Sequence, residues 1–111
     1  MPLLFTEGFI RRGIPLDTLL IPATSNPAKI YGLWPRKGNL SIGADADIII
    51  IDPKTEKIVT PEALNSAQDF TPWEGWRLRG WPRYVIVRGH IVMDDGTITS
   101  KPEGKFIRRP V

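Results

Sequence analysis

No cysteine occurs anywhere in this chain, and among its 111 residues there is a single histidine, His90. The first absence rules out disulfides and thiolate metal ligands. The second removes the usual partner of a catalytic serine: Ser25, Ser41, Ser66 and Ser100 have no histidine beside them in sequence. His90 alone cannot build a zinc site, which takes three or four nitrogen, sulfur or carboxylate ligands, so a structural or solvent-exposed role is expected for it. Phosphate cradles are missing too. Gly38 to Gly43 has neither the closing lysine of a P-loop nor a G-x-G-x-x-G pattern. No apolar run approaches the roughly 20 residues that span a bilayer, so no membrane partner is expected. The opening MPLLFTEGF lacks a basic region ahead of a long apolar core, which speaks against an export signal and makes the cytoplasm the expected location.

What is present is an ordinary globular composition. Hydrophobic residues make up 41% and charged residues 24% of the chain, enough for one small core and not for two independent domains. Eleven prolines and ten glycines imply short elements and many turns. The formal net charge is +3, which raises the question of nucleic acid. Basic pairs such as Arg11-Arg12, Arg36-Lys37 and Arg108-Arg109 are scattered rather than clustered. Three of the four tryptophans fall within Trp73 to Trp81, a spacing that could serve base stacking. Packing into a core or a subunit surface under arginine stems is the plainer role, and no nucleic-acid motif accompanies them. No nucleic-acid partner is expected.

Read along the chain, the pattern changes near Pro35. Leu3, Leu4, Phe5, Phe9 and Ile10 fall near helical spacing, with Gly13 as a C-cap. Asp17 can cap a short second helix through Ile21, and Ser25 or Asn26 a third with Pro27 in its first turn. Beyond Pro35 the signals are those of strands. Asn39 to Ile42 alternates as on a half-buried strand, and Ile48 to Ile51 suits a strand buried on both faces, ended by Asp52-Pro53. Thr60-Pro61-Glu62-Ala63-Leu64 reads as an interrupting helix. Strands follow at Lys57 to Val59, Trp76 to Arg79, Tyr84 to Val87 and His90 to Met93. A bend falls at Arg88-Gly89 and a turn at Asp94-Asp95-Gly96, giving an antiparallel meander.

Asp45, Asp47 and Asp52 could form a carboxylate cluster for a hard cation. The companion ligands and closing glutamate of a calcium loop are absent, and the acids are read instead as turn caps and a strand end. Glu7, Glu62 and Glu74 stand alone. From the residues, then, no catalytic, cofactor-binding or metal-binding site is assigned to this chain.

Several segments resemble the C-terminal signature of the cyclic amidohydrolases, above all the hydantoinases and dihydropyrimidinases. They are Asn26-Pro27-Ala28-Lys29 with Gly32-Leu33, the basic turn Pro35-Arg36-Lys37-Gly38, and Gly43-Ala44-Asp45-Ala46-Asp47 before the isoleucine run. Pro2 to Gly8, Trp73-Glu74-Gly75, Gly80-Trp81-Pro82 and Gly104 to Arg109 also fit. The resemblance implies an α+β chain. Residues 1–35 would be terminal helices of a (β/α)8 metal-dependent hydrolase barrel, residues 36–98 most of a small, mainly antiparallel partial β-sandwich, and residues 99–111 an extended tail that reaches a neighbouring subunit. It implies hydrolysis of the carbon–nitrogen bond of cyclic amides by the full-length protein, with a binuclear zinc centre held by residues upstream of this chain. The rest of the barrel would be its partner and a homo-oligomer its setting, and the chain alone would be inactive. The family also contains dihydropyrimidinase-related proteins that lost their metal ligands and act as scaffolds, so a non-catalytic binding role is the alternative. A free-standing basic binding module has no motif behind it. In isolation the chain is expected to self-associate, because its helix faces and a sheet edge would lie open.

Overall fold

The computed structural model describes residues 1–99 and 104–108. The chain enters through a π-helical segment, Leu4–Ile10, flanked by ordinary helical residues, and turns at Gly13. Helix α1 (Leu16–Ala23) and helix α2 (Ser25–Ile30) follow almost without a break. A stretch of turns then leads to a four-stranded antiparallel sheet in the order β1-β2-β3-β4. The strands are β1 (Ile48–Ile58), β2 (Arg77–Val87), β3 (His90–Asp94) and β4 (Thr97–Ile98). Helices packed beside an antiparallel meander form the α+β arrangement that the sequence implies.

Both tight hairpins have a local cause. Val87 pairs with His90 across Arg88-Gly89, and Asp94 pairs with Thr97 across Asp95-Gly96. Arg88 (φ 48°), Gly89 (81°), Asp95 (46°) and Gly96 (84°) all take positive φ, as a type I′ two-residue hairpin turn requires at both central positions. Trp76 to Arg79 and Tyr84 to Val87, expected as separate strands, merge into β2, because Gly80 lets the backbone pass through φ 78° without stopping.

The helices depart in detail from the sequence pattern. Thr24, not Ser25 or Asn26, precedes α2, and its hydroxyl donates to Leu20 O at 2.7 Å. Asp17 sits inside the first turn of α1, whose N-cap position is Pro15, and its carboxylate accepts from Thr18 N. Pro22 does not end that helix, which runs on to Ala23.

Four expectations are overturned. Asn39 to Ile42 is not a strand. Asn39 bonds Pro35 O and Ser41 N through its side chain, and this local alternative turns the backbone away and leaves Leu40 largely and Ile42 fully exposed. The isoleucine run is not buried on both faces, since β1 is the sheet's edge and Ile49 and Ile50 are about half exposed. Nor does Pro53 end it: β1 continues to Ile58 through an irregularity between Asp52 and Glu56, where Asp52 accepts from Lys54 N and the Thr55 hydroxyl. Proline is tolerated on an edge strand because no neighbour needs its amide. Thr60 to Leu64 forms only turns. Thr60 Oγ1 does accept from Ala63 N as a cap would, but Asn65 at φ 50° breaks the chain away.

The core is small. Val59, Leu78 and Trp81 are buried together with Leu3 packed on them, and Trp81 Nε1 donates to Leu78 O at 2.7 Å. Trp73 and Trp76 stay about two-fifths exposed. The π-helical segment is fastened to β2 by Thr6, whose buried hydroxyl donates to Arg79 O at 3.1 Å and accepts from Arg79 N at 2.8 Å. It thereby completes a strand's hydrogen bonding with a helical side chain.

Candidate functional site

A concave feature lies where the helices face the edge of the sheet. Helix α1 contributes Leu20 and Ala23, α2 contributes Pro27 and Ala28, the chain beyond it Tyr31, Leu33 and Leu40, and β1 contributes Ile48, Ile49 and Ile51. Together they line a largely apolar cavity of about 650 Å³. That size suits a ligand or a packed segment of chain.

Its polar end is an ion-pair cluster. Lys37 lies between two carboxylates: its ammonium is 2.8 Å from Asp45 Oδ2 and also pairs with Asp47 Oδ2, while Arg36 Nε reaches Asp45 Oδ2 at 3.0 Å. The other oxygen of Asp47 accepts from Arg88 N, and Gly89 N donates to Ala46 O. The cluster therefore ties the turn after α2 to the start of β1 and to the β2–β3 hairpin. Gly38 allows the turn to come so close, because a Cβ there would stand 2.7 Å from Ala28 Cβ and 2.9 Å from Thr24 O.

These contacts set the titration of the three groups. Desolvation pushes Lys37 down, yet its hydrogen bonds and attraction to Asp45 and Asp47 outweigh it and hold the ammonium above its ordinary value. The hydrogen bond from Lys37 holds Asp45 low. Asp47 is pushed up by desolvation but brought below its ordinary value by Lys37 and by the Arg88 amide.

The acids considered in sequence do not converge. Asp52 is engaged in its own turn and held low by the Lys54 amide and the Thr55 hydroxyl. Glu62 is held low by its own backbone amide and Thr60, and His90 lies exposed at the start of β3. Among the described residues no three of histidine, cysteine, aspartate and glutamate come together as a metal site. Asp45 and Asp47 do lie near each other, but both are ion-paired with Lys37, and Asp45 also with Arg36. The donor set thus does not fit a binuclear zinc centre, and no reaction step is assigned to one here. The Lys37 cluster is what sequence reasoning missed. A basic pair followed about ten residues later by Asp45-Ala46-Asp47 was its only trace. Among the described residues no helix is long and apolar enough to cross a membrane.

A family model described as the amidohydrolase family matches residues 7–93, and the chain belongs to that family. Within it the similarity is to hydantoinases. The chain is 34% identical over 104 residues to D-hydantoinase from Ralstonia pickettii, covering 93% of this chain and 23% of that protein. It is 37% identical over 110 residues to D-phenylhydantoinase from Escherichia coli O1:K1, covering 98% and 24%. The solved D-hydantoinase (dihydropyrimidinase) from Thermus sp. superposes with a TM-score of 0.92 at 32% identity, over 97% of this chain and 24% of that one. The chain therefore spans about a quarter of the length of the relatives it matches.

Proposed function

We propose that this chain is the C-terminal part of a hydrolase acting on the carbon–nitrogen bond of cyclic amides, of hydantoinase or dihydropyrimidinase type. In this reading residues 1–35 are the last helices of the metal-dependent barrel, 36–98 most of the small β domain and 99–111 a tail toward a neighbouring subunit. Of that tail, residues 100–103 and 109–111 lie outside the described residues. The chain's own task is structural: it closes the barrel and carries subunit contacts in a cytoplasmic homo-oligomer. The metal centre, zinc in this reading, is held by other residues, and the chain by itself is inactive. The observation that carries the proposal is the Thermus superposition, in which nearly all of this chain fits a quarter of a hydantoinase at 32% identity.

The test is a chimera in which this chain replaces the matching quarter of the Thermus enzyme. Ring opening of hydantoin and dihydropyrimidine substrates is then assayed with zinc present. The expected result is a folded chimera that hydrolyses one of them, while the 111-residue chain alone hydrolyses neither. A folded but inactive chimera would favour the non-catalytic scaffold.

A further inference from the structure

We infer that Asp95-Gly96, the turn between β3 and β4, is a site of spontaneous backbone modification, where the aspartyl residue passes through a cyclic imide and becomes isoaspartyl. This chemistry belongs to the chain's own backbone and does not depend on the proposed function. The Gly96 amide nitrogen attacks the carboxyl carbon of the Asp95 side chain. A C–N bond forms, and a carboxyl oxygen leaves as water with the amide proton and one proton from solvent. Water then reopens the five-membered ring. Where it enters at the main-chain carbonyl, the backbone runs on through the side-chain carbon and the old main-chain carbonyl becomes a carboxylate. No co-reactant except water is needed.

The step requires a small following residue, an unengaged side chain and an unengaged amide. Asp45-Ala46, Asn65-Ser66 and Asp95-Gly96 are the pairs in which the second residue is no larger than serine. The Asp45 carboxylate is held by Lys37 and Arg36. The Ser66 amide is occupied, donating to Pro61 O at 3.2 Å. Asp95 is exposed, and among the described residues neither its carboxylate nor the Gly96 amide has a hydrogen-bond partner. The surroundings are open as well: a Cβ on Gly96 would meet only Lys57 Nζ, at 3.5 Å. Ring closure swings the carboxyl onto the Gly96 nitrogen, which the left-handed backbone of the turn does not permit, so the turn has to open first. That opening is cheap. β4 is two residues long, lies at the margin of the sheet and is paired only as Met93↔Ile98 and Asp94↔Thr97. Conversion lengthens the turn by one methylene, so Asp94 no longer stands opposite Thr97. β4 then leaves β3, together with the bonds from Thr99 to Ile91 O and Val92 O, and β3 becomes the edge.

Peptide mapping with electron-transfer fragmentation, which distinguishes β-linked from α-linked backbone, tests this after long incubation of the 111-residue chain at neutral pH. In urea Asn65-Ser66 should lead, since an amide loses ammonia more readily than a carboxylate loses water. Without urea the order should reverse, with isoaspartate at Asp95 ahead of that at Asn65 by about threefold or more. Asp95→Asn keeps a favoured Asn-Gly turn and should react faster at the same position, releasing ammonia. Asn65 equal or leading without urea overturns the inference. So does an Asp95 that stays α-linked in water after the urea-treated chain has converted. An Asp95→Asn chain that keeps its amide when folded and loses it when unfolded overturns it equally.

Discussion

A methyl group added at Gly80 would lie 2.4 Å from Phe5 Cδ1 and 2.7 Å from its Cγ, closer than real atoms come, and on a backbone at φ 78°. Phe5 is itself buried and stacked against Phe9 at 5.4 Å, so it has little room to retreat. Gly80→Ala should therefore destabilise the chain by about 2 kcal/mol or more, from strain and overpacking together. Urea denaturation measures this, and a loss below about 0.5 kcal/mol would show that the π-helical segment can shift away from β2. Little of this was legible in the sequence. Gly80 lies in the recognisable Gly80-Trp81-Pro82 segment, but nothing local says that Phe5, 75 residues earlier, covers it. Thr6 is a similar case. A lone threonine on a helical face gives no sign that its hydroxyl will take both backbone groups of Arg79. Contacts made at long separation are written in no single window of sequence.

Among elements, the hairpins and the edge strand show what local chemistry can and cannot announce. Arg88-Gly89 and Asp95-Gly96 were legible because the turns need positive φ, and glycine after a polar residue supplies it. Asn39 to Ile42 misled because period-two alternation cannot report that an asparagine side chain will capture its own backbone. The isoleucine run was read correctly as a strand but in the wrong place, since hydrophobicity says that a face is covered without saying by what. The join between α2 and β1 is held by Lys37 with Asp45 and Asp47, which gives it a defined pH response. Both carboxylates titrate below their ordinary value when folded, so their contribution is complete above the normal aspartate range, near pH 4, and is lost as pH falls through their lowered values. Lys37 titrates above its ordinary value, so its contribution holds below about pH 10 and is lost only as pH rises beyond. Stability from this cluster should be flat between those limits and fall at both ends. Lys37→Met should lower the plateau and flatten both limbs, read from urea midpoints across pH. Limbs unchanged in Lys37→Met would place the titration elsewhere.

At the scale of the whole molecule, composition and packing diverge. The 41% hydrophobic content is that of an ordinary globular protein, yet among the described residues only Phe5, Ala28, Val59, Leu78 and Trp81 form the buried hydrophobic set. Leu16, Ile30, Tyr31, Ile50 and Phe70 are among many large side chains left exposed. The radius of gyration is 15.2 Å, against about 13 Å for a compact domain of this length. The helices meet the sheet mainly through the π-helical segment, so the two halves share little core. The resemblance implies helices that would lean on a barrel in a longer protein, and the little contact they make with the sheet accords with that expectation. What it could not give was the size of the uncovered surface, which depends on how the elements pack and not on which elements form. Folding free energy is a small difference between burial and chain entropy, and a chain that buries this little apolar area has little to set against ordering its backbone. Heated alone, the 111-residue chain should therefore unfold broadly, with a van't Hoff enthalpy below the roughly 60–80 kcal/mol usual for 100 residues. It should also bind a hydrophobic dye before it unfolds and self-associate as concentration rises. Calorimetry with dye fluorescence and sedimentation reads all three. A monomer that binds no dye and melts in one sharp transition would mean that the exposed isoleucine and aromatic faces are closed by this chain itself, and that it stands as a domain without the larger fold it matches.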